Sequence, residues 1–309
     1  MKNIVIIGTS KIAEEHIKCL LDLNFKILAI CSTRKKSKNL HVISRKYKIQ
    51  NYFDNFLNLQ KFLEGNKDFA FFLAPRIKDT ENILSKCLKY KKKIFIEKPI
   101  TNKLSFIDKI KKYKNYIFVG YNRIFYKNIS FIKKEIYNKK NLFIEVTCPE
   151  NDKKKIQSNS CHVISILLFL FNKIKIIKIQ RNTNYIFVIA KIKSNGLVTL
   201  RFNFNSSENF SIKIIDSSKM YKLRPIETLK VFNGMELLNK TNFTNYKPIL
   251  IKKIEEYKIN NFKPGFYVQA KEFKKFLNNN HYSIINSIEF AREVIDICNT
   301  IYDKKFNHN

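Results

Sequence analysis

The sequence predicts an α/β chain in which a doubly wound parallel sheet is followed by an α+β domain built on a large, mostly antiparallel, open-faced sheet. Three observations predict it. About 120 residues at the start alternate short β-rich runs with helical patterns, as βαβ units do. From Lys173 to about Phe232 the pattern turns to successive strands joined by turn chemistry. Two helical patterns then close the chain. At 309 residues it exceeds the usual size of a single core, which favours two domains.

In the first part, strands are expected at Asn3 to Ile7, Lys26 to Cys31, Phe69 to Ala74, Lys93 to Ile96 and Tyr116 to Val119. Helices are expected at Lys11 to Leu23, Leu57 to Leu63 and Lys78 to Tyr90, where apolar residues recur at three- and four-residue spacing. A helical pattern near Asn128 to Tyr137 and a strand at Leu142 to Cys148 follow. Pro149 to Ser160 reads as a polar loop, and Cys161 to Phe171 as a buried helix. The runs IKIIKIQ, YIFVIAKIK, LVTLRFNF and FSIKIID read as antiparallel strands, with Ser194-Asn195-Gly196 as one turn. Tyr267 to Leu277 and Ile288 to Tyr302 are the closing helices.

Composition narrows the function classes. No apolar run approaches the roughly 20 residues of a membrane-spanning helix, and the opening apolar run is too short for a signal peptide before Gly8 interrupts it. The six cysteines lack paired spacing and sit in apolar runs, which fits a reducing cytoplasm. Triplets such as Asn128 to Ser130 and Asn242 to Thr244 would matter only in a secreted chain. The extreme feature is charge: 59 Lys+Arg against 25 Asp+Glu gives +34, a field that attracts anions. The lysines are spread through the chain with abundant Ile, Asn, Phe and Tyr, the bias of an AT-rich coding sequence, so charge alone does not select a partner. Arg34, Lys35, Lys36 and Lys38 form the densest functional candidate, whereas Lys91 to Lys93 read as a solvated helix end.

Three segments carry chemistry. Ile4 to Ala13 is a strand, a tight turn and a helix start, the context in which a glycine-rich fingerprint binds a pyrophosphate. Gly8 fills the first glycine position and Ala13 the third, but Ser10 replaces the second, where its hydroxyl can donate to a phosphate oxygen. The second strand ends in Cys31-Ser32-Thr33-Arg34, without the acidic residue that binds the ribose 2′-hydroxyl of NAD. Hydroxyls followed by a guanidinium suit the 2′-phosphate of NADP instead. Ile94 to Pro99 sets Glu97 and Lys98 at a strand's carboxyl end, where open α/β sheets bind ligands; a surface Glu97–Lys98 ion pair is the plainer alternative. No zinc spacing, Walker loop or nucleophile elbow is present.

Taken together, the segments IVIIGTSKIAEEH, FFLAPR, IFIEKPI, VGYNRIF and SCHVISILLFLF, with the late GFYVQAKEF and SIEFAREVIDI, resemble the Gfo/Idh/MocA family (glucose-fructose oxidoreductase, inositol dehydrogenase, MocA) over nearly the whole chain. The ordered set, above all Glu97-Lys98-Pro99 followed by Gly120-Tyr121-Asn122-Arg123, is more specific than any one member. The resemblance implies an NAD(P)-binding Rossmann domain over residues 1–121 and a substrate-binding and oligomerisation domain over 122–309, with the closing helices free to pack back on the first. It implies hydride transfer between nicotinamide and a sugar, nucleotide sugar or related polyol, with Lys98 and His162 as catalytic residues and a cis Lys98–Pro99 bond. Cofactor contacts are expected from Gly8, Thr9, Ser10, Lys11, Ile12, Ser32, Thr33, Arg34, Ala74, Pro75, Glu97 and Lys98. Substrate contacts are expected from Tyr121, Asn122, Arg123 and Ser158. No metal is implied.

Two positions depart from the family pattern: Ser158 and Ser165 stand where relatives keep acidic residues around the histidine. The rival to a working NADP- or NAD-dependent enzyme, NADP slightly preferred, is therefore a catalytically inactive dinucleotide-binding regulator or sensor of the same fold. The expected partners are a small sugar-like substrate with a lean towards anionic ones, no specific nucleic acid and no membrane, and further copies of the chain in a homodimer or homotetramer.

Overall fold

In chain order the computed structural model comprises β1 (Asn3–Ile7), α1 (Lys11–Asp22), β2 (Lys26–Cys31), α2 (Lys38–Lys46), β3 (Tyr52–Phe53), α3 (Phe56–Glu64), β4 (Ala70–Leu73), α4 (Ile77–Leu88), β5 (Ile94–Glu97), α5 (Leu104–Ile110) and β6 (Ile117–Gly120). There follow α6 (Lys127–Glu135), β7 (Phe143–Glu150), α7 (Cys161–Phe171), β8 (Ile174–Arg181), β9 (Tyr185–Ile192), β10 (Leu197–Phe204), β11 (Ser211–Ile215), β12 (Lys219–Leu223), β13 (Thr228–Leu238), β14 (Asn245–Glu255), α8 (Phe266–Asn279) and α9 (Ile288–Tyr302). The structure describes residues 2–193, 195–238, 245–256, 262–279 and 283–303. Ser194 of the expected turn, the Asn242 to Thr244 triplet, His281 and His308 lie outside the described residues. The chain divides into a first unit of residues 1–122 and 258–296 and a second of 123–257 and 297–309.

The first unit is a six-stranded parallel sheet in the order β3-β2-β1-β4-β5-β6, the doubly wound order whose reversal beside β1 opens a crevice at the strands' carboxyl ends. Strands β1, β4, β5 and β6 are buried at nearly every position, because a parallel sheet covered on both faces needs continuous apolar runs. Helix α1 buries Ala13, His16, Ile17, Cys19 and Leu20, one stripe at helical spacing. From the far end of the sequence, α8 joins this unit. Its Phe273 lies edge-on to Phe72, Phe95 and Phe118 at 5.5–5.8 Å, and Phe72 stacks on Phe95 at 3.9 Å. Lys274 donates to the carbonyl of Leu23 just after α1.

The backbones of β1 and β4 approach closely where β1 ends. The Gly8 amide donates to Cys31 O at 2.9 Å, and the Ala74 amide donates to Ile7 O at 2.8 Å. Gly8 has φ +130°, and a Cβ built on it would stand 2.2 Å from Ala74 O. Only glycine fits both the conformation and the space.

The second unit carries an eight-stranded sheet in the order β14-β13-β12-β11-β7-β10-β9-β8. Strands β7 and β10 pair in parallel; the other described neighbours are antiparallel. Burial alternates along β7, β9 and β10, so one face is core and the other open, as in one-sided antiparallel sheets. Helix α7 is buried at every position except Phe169, whose carbonyl accepts from Lys133 of α6.

Two expectations change here. Pro149 to Ser160 is not simply a loop: β7 continues through Glu150, and Ile156–Ser160 coils as a π turn that runs into α7. The sheet also extends beyond Phe232 through β13 and β14, where most β14 side chains are exposed and no buried alternation marks the strand.

Two substitutions test this packing. Phe273→Ala, which empties a fully buried ring site, is expected to lower unfolding free energy by about 3–5 kcal/mol. Gly8→Ala is expected to cost about 1–3 kcal/mol through backbone strain alone. Denaturant unfolding measures both, and a Gly8→Ala protein as stable as the parent would contradict the close β1–β4 approach.

Candidate active site

The first unit brings the turn after β1, the loop after β2 and the loop after β4 around one cavity of about 190 Å³. It is lined by Gly8, Thr9, Ser10, Ser32, Thr33, Arg34, Ser37, Asn39, Ala74, Pro75 and Arg76. Each piece has a local cause. Ser10 is the N-cap of α1, its Oγ accepting from the Ala13 amide at 3.2 Å, as the orphan amides of a first turn require. The hydroxyl keeps its own proton for donation. Lys11 and Ile12 begin the helix beside it. Buried Ser32 receives on its Oγ the amide of Arg34 at 3.0 Å, an ST-turn that bends the loop and leaves the Arg34 side chain exposed. Thr9 and Ser37 hydroxyls lie 3.2 Å apart, and Asn39 donates to Thr9 O at 3.1 Å. The phosphate-type turn is thereby tied to the start of α2.

No carboxylate appears among these lining residues, and Arg76 is paired with Asp79 at 2.7 Å. Hydroxyls and a guanidinium beside the N-cap of a helix are a donor set that suits anionic phosphates. The residues fit the phosphate and ribose portion of a dinucleotide.

Glu97 and Lys98 stand at the carboxyl end of β5, in the same sheet. The Lys98–Pro99 bond is cis. Glu97 Oε1 is hydrogen-bonded to His16 Nε2 at 2.6 Å, and its Oε2 accepts from the Lys98 amide at 3.2 Å. The carboxylate therefore engages a helix histidine and its neighbour's backbone. Tyr121 and Asn122, just past β6, are buried. Gln269 of α8, with its amide oxygen turned to them, accepts from the amides of Tyr121 and Asn122 at 2.9 and 3.0 Å. Asn122 also donates to Pro264 O at 3.3 Å.

Arg123, Ser158 and His162 belong to the second unit. The Arg123 guanidinium lies 3.9 Å from Glu227, which also accepts from Tyr126, whose hydroxyl burial pushes up to about 12. Ser158 sits in the π turn and His162 in the first turn of α7, where it is buried. Ser165 donates to the carbonyl of His162 at 2.7 Å. Beneath the turn, buried Glu150 accepts from Ser160 and from Asn159, at 2.5 and 3.1 Å.

Sequence reasoning passed over Ser37, Asn39, Arg76, Glu150 and Gln269. Two had legible signals. Ile144, Val146 and Cys148 face inward by alternation, and Glu150 continues that parity. Gln269 interrupts an apolar helix face between Phe266 and Phe273, and a polar residue there needs a buried partner. The cysteines carry no nucleophile: all six are buried, and burial pushes Cys19 and Cys31 up to about 12. Among the described residues no cluster of His, Cys, Asp and Glu could hold a metal ion, and no helix is long and apolar enough to cross a membrane.

Residues 2–121 match the model of an oxidoreductase family with an NAD-binding Rossmann fold, Gfo/Idh/MocA. No curated protein matches the chain. Among solved structures, a dehydrogenase from Clostridium difficile is 19% identical with TM-score 0.73, over 97% of this chain and 98% of that one. A levoglucosan dehydrogenase in complex with NADH is 12% identical with TM-score 0.75, over 97% and 95%. The UDP-N-acetylglucosamine 3-dehydrogenase of Acidithiobacillus ferrooxidans is 9% identical with TM-score 0.72, over 97% and 96%. At such identities the likeness is one of fold. Residues 2–121 match the Gfo/Idh/MocA oxidoreductases, and over nearly the whole chain the fold is that of these dehydrogenases.

Proposed function

We propose that this chain is an NAD(P)-dependent oxidoreductase acting on a CH–OH group of a sugar, nucleotide sugar or related polyol, with NADP as the preferred cofactor. The observation that carries the reading is the single cavity joining Gly8 to Ser10, Ser32 to Arg34 and Ala74 to Arg76. The solved structures of like fold include dehydrogenases named for levoglucosan and UDP-N-acetylglucosamine, which supports the substrate class.

When bound, the nicotinamide supplies the hydride acceptor or donor. The chain's own part is positioning and proton handling. Helix-start amides, Thr9, Ser10, Lys11 and Ile12 hold the pyrophosphate, while Ser32, Thr33 and Arg34 take the ribose and its 2′-phosphate. Ala74, Pro75 and Glu97 complete the cofactor side. Lys98 donates to the reacting oxygen and stabilises negative charge as it develops there. His162 exchanges the hydroxyl proton, and Tyr121, Asn122, Arg123 and Ser158 shape the substrate side. One observation favours the inactive, dinucleotide-sensing alternative: the Ser165 hydroxyl is turned to a backbone carbonyl, so that position supplies no acid to the histidine. Turnover with a sugar panel separates the two readings.

Self-association is part of the proposal. The open face of the second unit's sheet carries Tyr185, Phe187, Ile189, Leu197, Phe143, Ile215 and Met220 in adjacent registers, all half-buried or exposed. The same face carries Glu145, Thr147, Arg201 and Lys213 between them, and a partly apolar sheet face of this kind favours covering by another copy.

Two measurements test the proposal. Isothermal titration is expected to give micromolar binding of NADPH, tighter than NADH, with Arg34→Ala losing about 1.5–3 kcal/mol of NADPH affinity and little for NADH. Binding of neither nucleotide, once denatured extracts exclude co-purified cofactor, overturns the reading. Light scattering at micromolar concentration is expected to give a dimer or tetramer, and a clean monomer contradicts the covered face.

A further inference from the structure

We infer that His16 is a positioning residue for Lys98, acting through Glu97, so that the helix beginning at the phosphate-type turn is wired to the lysine at the carboxyl end of β5. The inference rests on the oxidoreductase reading for the role of Lys98; the wiring itself is geometric.

His16 lies on α1, fewer than two turns from its Ser10 cap, and is 1% exposed. Its ring is walled by Phe72, Phe95 and Phe266 at 4.6, 5.2 and 4.5 Å between centroids. The hydrogen bond to Glu97 at 2.6 Å is therefore made where water is scarce and a polar contact is electrostatically stronger. The other Glu97 oxygen holds the Lys98 amide. One carboxylate thus has its two oxygens on two N–H groups, one from α1 and one from the lysine's own backbone.

The neighbouring strand leaves room for this. Gly120 pairs with Glu97 across β5 and β6. A Cβ on Gly120 would stand 2.6 Å from the Phe95 ring and 3.4 Å from Glu97 Oε1, so a side chain there would push both the aromatic wall and the carboxylate.

Stability alone does not account for the pair. A buried polar pair replaced by apolar groups of similar volume is often neutral or stabilising, and three phenylalanines already surround the site. What an apolar residue at His16 cannot do is aim the Glu97 carboxylate. The consequence of the contact falls on the geometry next in the chain, at Lys98.

The test reads Lys98 without a substrate. In the full-length protein, the rate at which each lysine is acetylated by acetic anhydride is followed by peptide mass spectrometry, in the parent, His16→Phe and His16→Gln. Phenylalanine fills the aromatic slot but cannot donate; glutamine restores a donor. The expected result is a change in Lys98 labelling of about fivefold in His16→Phe, the scale of one lost hydrogen bond, largely restored in His16→Gln. Lys26 and Lys274 of the same unit should not move. Equal Lys98 rates in all three proteins overturn the inference, as does a parallel change at all three lysines, which marks general loosening. Should His16→Phe fail to fold, Glu97→Gln takes its place, and an unchanged Lys98 rate there has the same force. NADPH titration of the parent runs alongside: failure to bind sinks the oxidoreductase reading alone, since the labelling is read without cofactor.

Discussion

The geometry at the carboxyl edge of the first sheet depends on how closely β1 and β4 approach beyond their last paired residues. The Ala74 amide bonds to Ile7 O, and Gly8 follows with its α-carbon hydrogens against the Ala74 carbonyl. No side chain separates the two backbones, so the turn into α1 starts directly above the sheet edge. Ser10 can then both cap the helix and line the cavity. A bulkier residue at Gly8 would displace the turn, the cap and the loop carrying Ala74, Pro75 and Arg76 together. The degenerate fingerprint is coherent on these terms: the glycine kept is the one that sterics demand, and the serine gained serves as a cap.

Charge is divided unevenly between chain and site. A net charge of +34 raises anion concentration near the whole surface, but a diffuse field does not orient a ligand. Orientation comes from short-range donors, and the cavity assembles these from hydroxyls and amides with few cations: Thr9, Ser10, Ser32, Thr33, Ser37 and Asn39 against Arg34 and Arg76. Arg76 is already engaged by Asp79, and the exposed Arg34 is the other guanidinium at the cavity. The lysine-rich composition and the local donor set are separate properties that happen to share a sign.

Legibility in the sequence followed burial. The continuous apolar runs of β1, β4, β5 and β6 and the stripe of α1 were readable because both sheet faces or one helix face must be apolar. The two-residue β3 and the exposed β14 were not, because little of their side-chain surface is buried and periodicity has nothing to record, while α2 buries Leu40, Ile43 and Ser44 within an otherwise polar run. The site divides in the same way. Gly8, Ser10 and Ser32 to Arg34 are local in sequence, so turn chemistry exposes them. Gln269 holding the Tyr121–Asn122 backbone, and His16 bonded to Glu97, join positions more than 80 residues apart. Spacing along one sequence carries no trace of such pairs, and only the polar residue on an apolar face hints that a partner exists.

The second unit shows a related economy around His162. Ser158 and Ser165 stand one helical turn to either side of His162 in the sequence, and a carboxylate is built into the same region. Glu150 extends the inward parity of β7 and is 6% exposed, with Ser160 and Asn159 donating to it. Those two residues belong to the π turn that holds Ser158 and leads into α7. A turn with i→i+5 bonding is rare, and Glu150 braces this one from the strand through its bonds to Asn159 and Ser160. Glu150 thus acts on the backbone that carries Ser158 and leads into α7 at His162. On that arrangement the acid's contribution is to hold the turn's shape.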